Sequence, residues 1–313
     1  MSCIEARSLA KSYGNVTAVD GIDLEVPEGQ IFGFLGPNGA GKSTTIKMLT
    51  TLVQPDKGDI RILDTDAVRH PLDVRKRIGV VLQQPSYEPS LTVSKSLEKY
   101  GMMWDTPPAE RKERAERLME EFDLTEIRNR KNVDLSIGQR RRVQVVREFM
   151  HDMDLLFLDE PTVGLDPSAR RRLMDYLKER ARSGLTIFYT THVLTEAEYI
   201  CDRIAIINRG KIVAVDTPEE LKNRFGQQKT IKIHLSAKDD HVEGLLEHIP
   251  DCKIDFRTGT SITIQSDEST KVLAQVLQIL GGNGIEVEDL SAVPTNLEEI
   301  FLKVVGGSGA PDS

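Results

Sequence analysis

Residues 36–44 read GPNGAGKST, and this stretch constrains the chain more than any other. It follows an apolar run, QIFGFLG, and opens into a helical pattern, which is the strand-to-helix setting that the GxxxxGK[ST] phosphate loop requires. Gly36, Gly39 and Gly41 let the backbone wrap around phosphates with its NH groups turned inward, and Pro37, Asn38, Ala40 and Thr44 complete the loop. Lys42 supplies positive charge for the β- and γ-phosphates of a nucleoside triphosphate, and Ser43 a hydroxyl for Mg2+. A chain built around this loop is expected to form a largely parallel α/β sheet wrapped by helices.

Two further stretches point to the same ligand chemistry. LSIGQRRRVQVV, residues 135–146, begins with a polar turn and runs into three arginines and an apolar-spaced helix. Ser136 is placed to cap that helix, and the NH groups and dipole of its first turn favour an anion. LLFLDEP, residues 155–161, brings Asp159 and Glu160 to the end of a buried strand, at the ligand-bearing edge of the sheet. Beside a phosphate loop, the pair assigns Mg2+ to Asp159 and the attacking water to Glu160, which orients and polarises it as general base. A solvated strand end is the other reading of the two carboxylates.

Length and composition bound the rest. A chain of 313 residues holds about two domains, and 39% hydrophobic with 29% charged residues is ordinary for a globular protein. No run approaches the roughly eighteen consecutive apolar residues of a membrane span. The opening MSCIEARSLAKSYG has no signal-peptide core, so a cytoplasmic location is expected. Cys3, Cys201 and Cys252 read as reduced, mostly buried thiols. Lys and Arg total 41 against 49 Asp and Glu, and the formal charge of -8 has the wrong sign for a general nucleic-acid footprint, so no direct nucleic-acid partner is expected.

Along the chain, strand-like runs alternate with helical ones up to residue 226, with IEARSLAKSY and GIDLEVPEGQ as an antiparallel edge and KIVAVD as a hairpin partner of RIAIINRG. Residues 86–150 read as an inserted helical subdomain, almost continuously helical from residue 93, in which Met102, Met103 and Trp104 are expected to pack in the core. Residues 228–305 follow the order strand, helix, strand, strand, helix, strand of a small ferredoxin-like α+β unit, closed by a further helix, NLEEIFLKVV. This second domain reads as regulatory or dimerising, and residues 306–313 as a disordered tail.

In order, Tyr13, GPNGAGKST, Gln83, LSIGQ, LFLDEP, GLD and His192 resemble the ATP-binding subunit of ABC transporters over roughly residues 1–225. The resemblance implies a P-loop NTPase fold with an antiparallel β subdomain and an inserted helical subdomain, with ATP and Mg2+ as ligands. It makes LSIGQ the family signature, so that Ser136, Gly138 and Gln139 close over the ATP held by Lys42 of a second copy, and two ATP molecules join a symmetric homodimer. It further implies that Tyr13 stacks on adenine, that Gln83 reaches Mg2+ and the attacking water and senses the membrane subunit, that Asp166 contacts the partner's phosphate loop, and that His192 holds the γ-phosphate. Gln84 stands one register away from Gln83.

One position departs from the family pattern: Ile137 stands where the signature usually has glycine. A β-branched residue is tolerated there if the backbone is helical, and slows hydrolysis if glycine-only angles are needed. Arg140, Arg141 and Arg142 either anchor the signature helix electrostatically or form a solvated basic face.

Without membrane spans of its own, the chain is expected to power a separate transmembrane permease from the inner face of the membrane, touching it beside Gln83 and along the helical insertion. The single ATPase unit, the RRRVQVV continuation and the appended domain resemble exporters of the drug and antibiotic-resistance type, which implies export of a hydrophobic or amphipathic compound. The alternatives are a soluble ABC-type ATPase acting on DNA or ribosomes, and a slow nucleotide-gated regulator.

Overall fold

The computed structural model describes residues 2–84, 86–225, 229–238, 241–246, 249–250, 252–257, 260–266, 269–293, 297–298 and 300–301. The chain divides into two compact units, Met1–Thr217 and Pro218–Ser313.

The first unit opens with two long strands, β1 (Ser2–Tyr13) and β2 (Val16–Pro27), paired antiparallel with several bulges. After β3 (Ile31–Leu35) and α1 (Lys42–Leu49) come β4 (Lys57–Ile62) and β5 (Thr65–Asp66), which join the opening hairpin in a four-stranded sheet of order β2-β1-β4-β5. The hairpin is thus not an edge of the parallel sheet but part of a sheet of its own. Its inward residues explain this: Ile4, Ala6 and Leu9 on β1 and Ile22, Leu24 and Val26 on β2 give it a continuous apolar face to bury.

The second sheet follows the short helix α2 (Pro71–Arg75) and comprises β6 (Ile78–Val81), β7 (Leu155–Asp159), β8 (Thr186–Thr191), β9 (Arg203–Asn208) and β10 (Lys211–Asp216) together with β3. Its order is β10-β9-β3-β8-β7-β6, parallel throughout except for the terminal hairpin that β10 makes with β9. β7 and β8 are buried at every position, the continuous apolar pattern of strands covered on both faces. One core cluster joins both sheets to α1, with Ile4, Leu9 and Ile62 from one side, Phe32, Phe34, Phe157 and Phe188 from the other, and Ile46 and Leu49 between in sequence. Each such side chain contributes about 1.5–3 kcal/mol of transfer free energy.

Between β6 and β7 lie α3 (Val93–Met103), α4 (Pro108–Glu121) and α5 (Ile137–Val146). This region is not continuously helical: short 3-10 turns at Thr125–Ile127 and Asn132–Asp134 break it. The buried Asn132 side chain donates to Glu88 O at 3.0 Å and Ser96 Oγ at 2.7 Å, satisfying non-helical backbone with side-chain bonds. The expectation that Met102 and Met103 are core also fails, since they are 55% and 66% exposed. The buried face of α3 carries Val93, Leu97 and Gly101, four residues apart, and the two methionines fall beyond it. Trp104 does pack, stacking on His151 at 4.0 Å.

Beyond β8 lies α7 (Leu194–Ile200), and between β7 and β8 lies α6 (Pro167–Arg182). The second unit begins with α8 (Pro218–Phe225) and continues as β11 (Lys229–Leu235), α9 (Val242–Leu246), β12 (Cys252–Arg257), β13 (Ser261–Ser266), α10 (Ser269–Gly282) and β14 (Val287–Val293). Its sheet has the order β12-β13-β11-β14 with every pair antiparallel, which is the ferredoxin-like arrangement. Val272, Val276 and Leu280 on α10 pack with Val242, Ile231 and Ile233 in a separate core. Leu277 faces out instead, at 38% exposed. Of the closing helix expected at NLEEIFLKVV, most residues lie outside those described, though Leu297 and Ile300 are buried.

Candidate functional site

Every predicted site residue of the parallel sheet lies at the carboxyl end of a strand. The phosphate loop leaves β3, Gln83 follows β6, Asp159 ends β7 with Glu160 after it, and His192 follows β8. Because β3, β8, β7 and β6 are successive neighbours with Leu35 opposite Thr191 and Asp159 opposite Thr190, four separate stretches of sequence meet along one edge.

The phosphate loop folds as its glycines require. Gly41 takes φ 110 as the N-cap of α1, and a side chain there would stand 2.4 Å from Ala18 O. Pro37 O accepts from Ala40 N at 3.1 Å, which closes the turn around Asn38 and Gly39, both exposed. Lys42 is buried, and its ammonium donates to Gly36 O at 2.6 Å and Pro37 O at 3.1 Å. Burial pulls its pKa below the ordinary lysine value, and the Glu160 and Asp159 carboxylates oppose that shift. Ser43 is exposed and Thr44 half-buried in the first turn.

Asp159 and Glu160 are only 4% and 7% exposed, which excludes the solvated strand end. Asp159 Oδ2 accepts from Ser43 Oγ at 3.3 Å and Oδ1 from Thr190 Oγ1 at 2.6 Å. Ser43, Asp159 and the Gln83 carboxamide are hard oxygen donors of the type Mg2+ takes, so the residues present fit that ion. Glu160 is flanked on both oxygens: Gln83 Nε2 donates to Oε2 at 3.1 Å, and His192 Nδ1 lies 3.1 Å from Oε1. Three residues distant in sequence thus form one cluster around a carboxylate, an arrangement able to orient a water for attack on a bound phosphate.

The signature lies on the first turn of α5. Ser136 is its N-cap, and the two side chains form a reciprocal capping box: Ser136 Oγ accepts from Gln139 N at 3.2 Å while Gln139 Oε1 accepts from Ser136 N at 3.0 Å. Ile137 is the first helical residue, with no positive φ, and is 67% exposed. The helical alternative therefore holds for its backbone here. Gly138 has a different reason to be glycine, because a Cβ there would lie 2.3 Å from Gly164 O in the loop that leads to Asp166. Asp166 is exposed and caps α6, accepting from Ala169 N at 2.9 Å, a bond that holds its carboxyl below the usual range. Tyr13 ends β1 half exposed, with the Lys11 ammonium 5.7 Å from its ring centre, and no hydrogen bond joins it to the cluster among the described residues.

Two features escaped sequence reasoning, and a third is one that it left between two readings. Thr190, on the neighbouring strand, holds Asp159 Oδ1 and accepts from Glu160 N at 3.2 Å. Glu196, 3% exposed, accepts from Thr162, Tyr189 and Thr191 hydroxyls at 2.9, 3.0 and 3.1 Å and so braces the residues on either side of the Glu160 and His192 turns. Arg141 is buried, so the basic run is not a uniform solvated face. Gln144, a polar residue three positions after Arg141 in an otherwise apolar stretch, was the available signal.

The chain is similar to known proteins over most of its length. The family model described as ABC transporter matches residues 19–163, and that of the ATP-binding protein DrrA1-3-like C-terminal domain matches residues 217–305. The linearmycin resistance ATP-binding protein of Bacillus subtilis (strain 168) is 34% identical, covering 97% of this chain and 98% of its own. The daunorubicin/doxorubicin resistance ATP-binding protein of Streptomyces peucetius is 37% identical over 97% of this chain and 92% of its own. A Nod factor export ATP-binding protein of Ralstonia nicotianae is 40% identical over 97% and 94%. Among solved structures, an ATP-binding subunit of an ABC transporter superposes with a TM-score of 0.67 at 29% identity, over 72% of this chain and 93% of that one. An ATP-binding cassette in a dimeric post-hydrolysis state with ADP and Pi gives 0.64 at 25% identity, over 68% and 98%.

Proposed function

Because the chain belongs to the ATP-binding subunits of ABC transporters, we propose a residue-level account of how it hydrolyses ATP to drive export through a separate permease. The observation that carries the account is the cluster of Gln83 and His192 on the two oxygens of Glu160, beside Ser43 and Asp159. Glu160 is the general base; Gln83 orients both it and the water, and His192 reaches the γ-phosphate. The Lys42 ammonium exchanges its two loop carbonyls for phosphate oxygens, while the inward NH groups of Gly36–Thr44 bind the remainder. Mg2+ held by Ser43, Asp159 and Gln83 would neutralise phosphate charge. Tyr13 stacks on the adenine.

The second anion site completes the account. Two copies meet head to tail, each laying the Ser136–Gln139 turn of α5 over the nucleotide on its partner's Lys42, with Asp166 beside the partner's loop. The ATPase domain is read as residues 1–217 and the accessory domain as residues 218–305, so that α8 goes with the second unit and not, as the sequence alone suggested, with the first. No helix among the described residues is long and apolar enough to cross a membrane. The partner in this account is a separate permease chain, with this subunit docked on its cytoplasmic face, a reading supported by relatives named as resistance ATP-binding proteins. The exposed Met102 and Met103 and the segment around Ser86 and Tyr87 suit that contact. The drug-resistance and export relatives favour a hydrophobic or amphipathic cargo.

The test is sedimentation of Glu160→Gln protein with and without Mg-ATP, beside the wild-type hydrolysis rate. The expected outcome is an ATP-dependent dimer that does not turn over. A variant that hydrolyses ATP at the wild-type rate removes Glu160 from the mechanism, and a variant that binds ATP yet stays monomeric removes the sandwich as an autonomous property of this subunit.

A further inference from the structure

We infer that Arg141 is the positioning residue of the hydrolytic site: from the signature helix it grips the backbone that carries Glu160 and the backbone that carries Gln83. The inference rests on the roles of Glu160 and Gln83 proposed above.

A guanidinium has five NH donors in a fixed plane, and here all five have acceptors. Nε donates to Pro161 O at 3.3 Å, one Nη to Leu82 O at 2.6 Å and Gln144 Oε1 at 3.0 Å, and the other to Asp159 O and to Glu160 O at 2.9 Å. Three consecutive carbonyls, 159 to 161, therefore converge on one side chain. The turn they belong to is strained, because Glu160 takes φ 50, a left-handed conformation that a non-glycine residue keeps only where its surroundings hold it there. Thr190 holds the amide side of that residue, its backbone oxygen 3.1 Å from Glu160 N, and Arg141 holds the carbonyl side.

Gln144 extends the grip by one turn of α5. Its Nε2 donates to Leu82 O at 3.3 Å and Gln84 O at 3.2 Å, the carbonyls immediately before and after Gln83. The two groups that meet over the water, Glu160 and Gln83, are thus both hung from the same helix. Arg141 is 7% exposed and takes carbonyl partners. Burial lowers its pKa to about 10, so it remains a cation at neutral pH, sustained by carbonyl dipoles and by the fields of Asp159 and Glu160. A lysine would keep the charge but places three donors on one point, which cannot span these carbonyls. Since Ser136 begins the same helix, movement of α5 as the signature engages one nucleotide carries the base and glutamine of the other site with it.

The experiment compares Arg141→Lys, Gln144→Met and Glu160→Gln in the full chain. For Arg141→Lys the expected kcat falls by about 10- to 100-fold, the cost of misplacing a reacting group by about 1 Å, while equilibrium Mg-ATP binding and KM stay within about twofold. Amide exchange across Glu160–Val163 accelerates without nucleotide, and that of Phe32–Leu35 does not. Gln144→Met gives a smaller fall of the same kind. Added to Glu160→Gln, Arg141→Lys lowers the residual single-turnover rate by less than about threefold, because it acts through a group already removed. The inference is overturned if Arg141→Lys keeps wild-type kcat per folded molecule, or if its effect multiplies fully in the Glu160→Gln background. Should Arg141→Lys not fold, unchanged kcat and exchange in Gln144→Met overturn it instead. Wild-type turnover by Glu160→Gln refutes the underlying site assignment, a result distinct from any of these.

Discussion

Gly138→Ala is the smallest change that separates nucleotide binding from closure. A methyl carbon on Gly138 would stand 2.3 Å from Gly164 O and 3.2 Å from its carbonyl carbon. A relaxed contact needs about 3.5 Å, so helix and loop must part by about 1 Å. The obstacle is backbone and cannot rotate aside. Leu165, next along the loop, is 6% exposed and donates its NH to Thr162 O at 3.1 Å, so displacement strains a packed segment. Overpacking of this kind costs about 1–3 kcal/mol, and the gain in helix propensity over glycine returns about 1 kcal/mol. The net loss is therefore about 0–2 kcal/mol, a fall in melting temperature of at most about 8 °C for a unit of this size. The functional loss is larger, because Ser136 and Asp166 lie on the two elements forced apart: kcat should drop by about 10- to 100-fold. Mg-ATP binding to the isolated subunit, which the proposed function assigns to Lys42 and its loop, should change by less than about twofold. Steady-state hydrolysis, equilibrium ATP binding and thermal melting on one preparation decide the matter. Retention of wild-type kcat in Gly138→Ala would refute the reasoning.

Three other outcomes follow from the same structure. Ile137→Gly should cost about 0.5 kcal/mol of helix propensity and leave turnover within about twofold, since Ile137 is already helical; a tenfold faster rate would mean that the working state needs glycine-only angles. Gly281→Ala in α10, where an added Cβ meets nothing within 4 Å, should raise the stability of the second unit by about 0.5–1 kcal/mol in urea melts, and a loss would show that this face is covered. Glu148 concerns pH. Burial raises its pKa to about 7 against the opposing Arg147 charge and the Tyr100 hydroxyl, which donates to it at 2.8 Å. The unfolded carboxyl ionises near 4.5 and the folded one later, so this stabilisation is whole below pH 4.5 and lost as pH rises to about 7, amounting to about 3 kcal/mol. Glu148→Gln should flatten the decline in stability between pH 5 and 7.5, and an unchanged slope in denaturant melts would exclude Glu148 as its source.

What the sequence made legible was whatever is local. A phosphate loop is a contiguous run whose glycines answer to backbone angles, so GPNGAGKST could be read directly, and so could the strand-borne Asp159–Glu160 pair. The ferredoxin-like order of the second unit was equally readable, because its strands alternate and its helix repeats Val272, Val276 and Leu280 at fixed spacing. The illegible parts arise from contacts across the chain. Nothing near residue 190 announces that Thr190 holds Asp159, since strand adjacency decides it. Likewise Arg140, Arg141 and Arg142 are alike as letters, and only the helix phase distinguishes them: Arg141 turns to the Asp159–Pro161 carbonyls while Arg140 lies over the Tyr87 ring at 5.3 Å. Met102 and Met103 failed for the same reason in reverse, apolar residues just past the end of a buried face.

Most of the groups assigned to nucleotide already make hydrogen bonds inside the chain. Lys42 holds two carbonyls, Ser43 and Thr190 share Asp159, Gln83 and His192 occupy Glu160, and Ser136 and Gln139 cap each other. Each contact with phosphate therefore replaces a bond instead of adding one, and such exchanges are worth only about 0.5–1.5 kcal/mol where both partners are neutral. The gain concentrates where a full charge is matched, at Lys42 and at the helix N-termini of α1 and α5. In the proposed head-to-tail dimer, losing one phosphate's charge on hydrolysis would then remove a large share of what holds two copies together, while the neutral contacts would revert to internal partners at little cost. A pair of sites satisfied from within can thus open after turnover, as repeated transport requires.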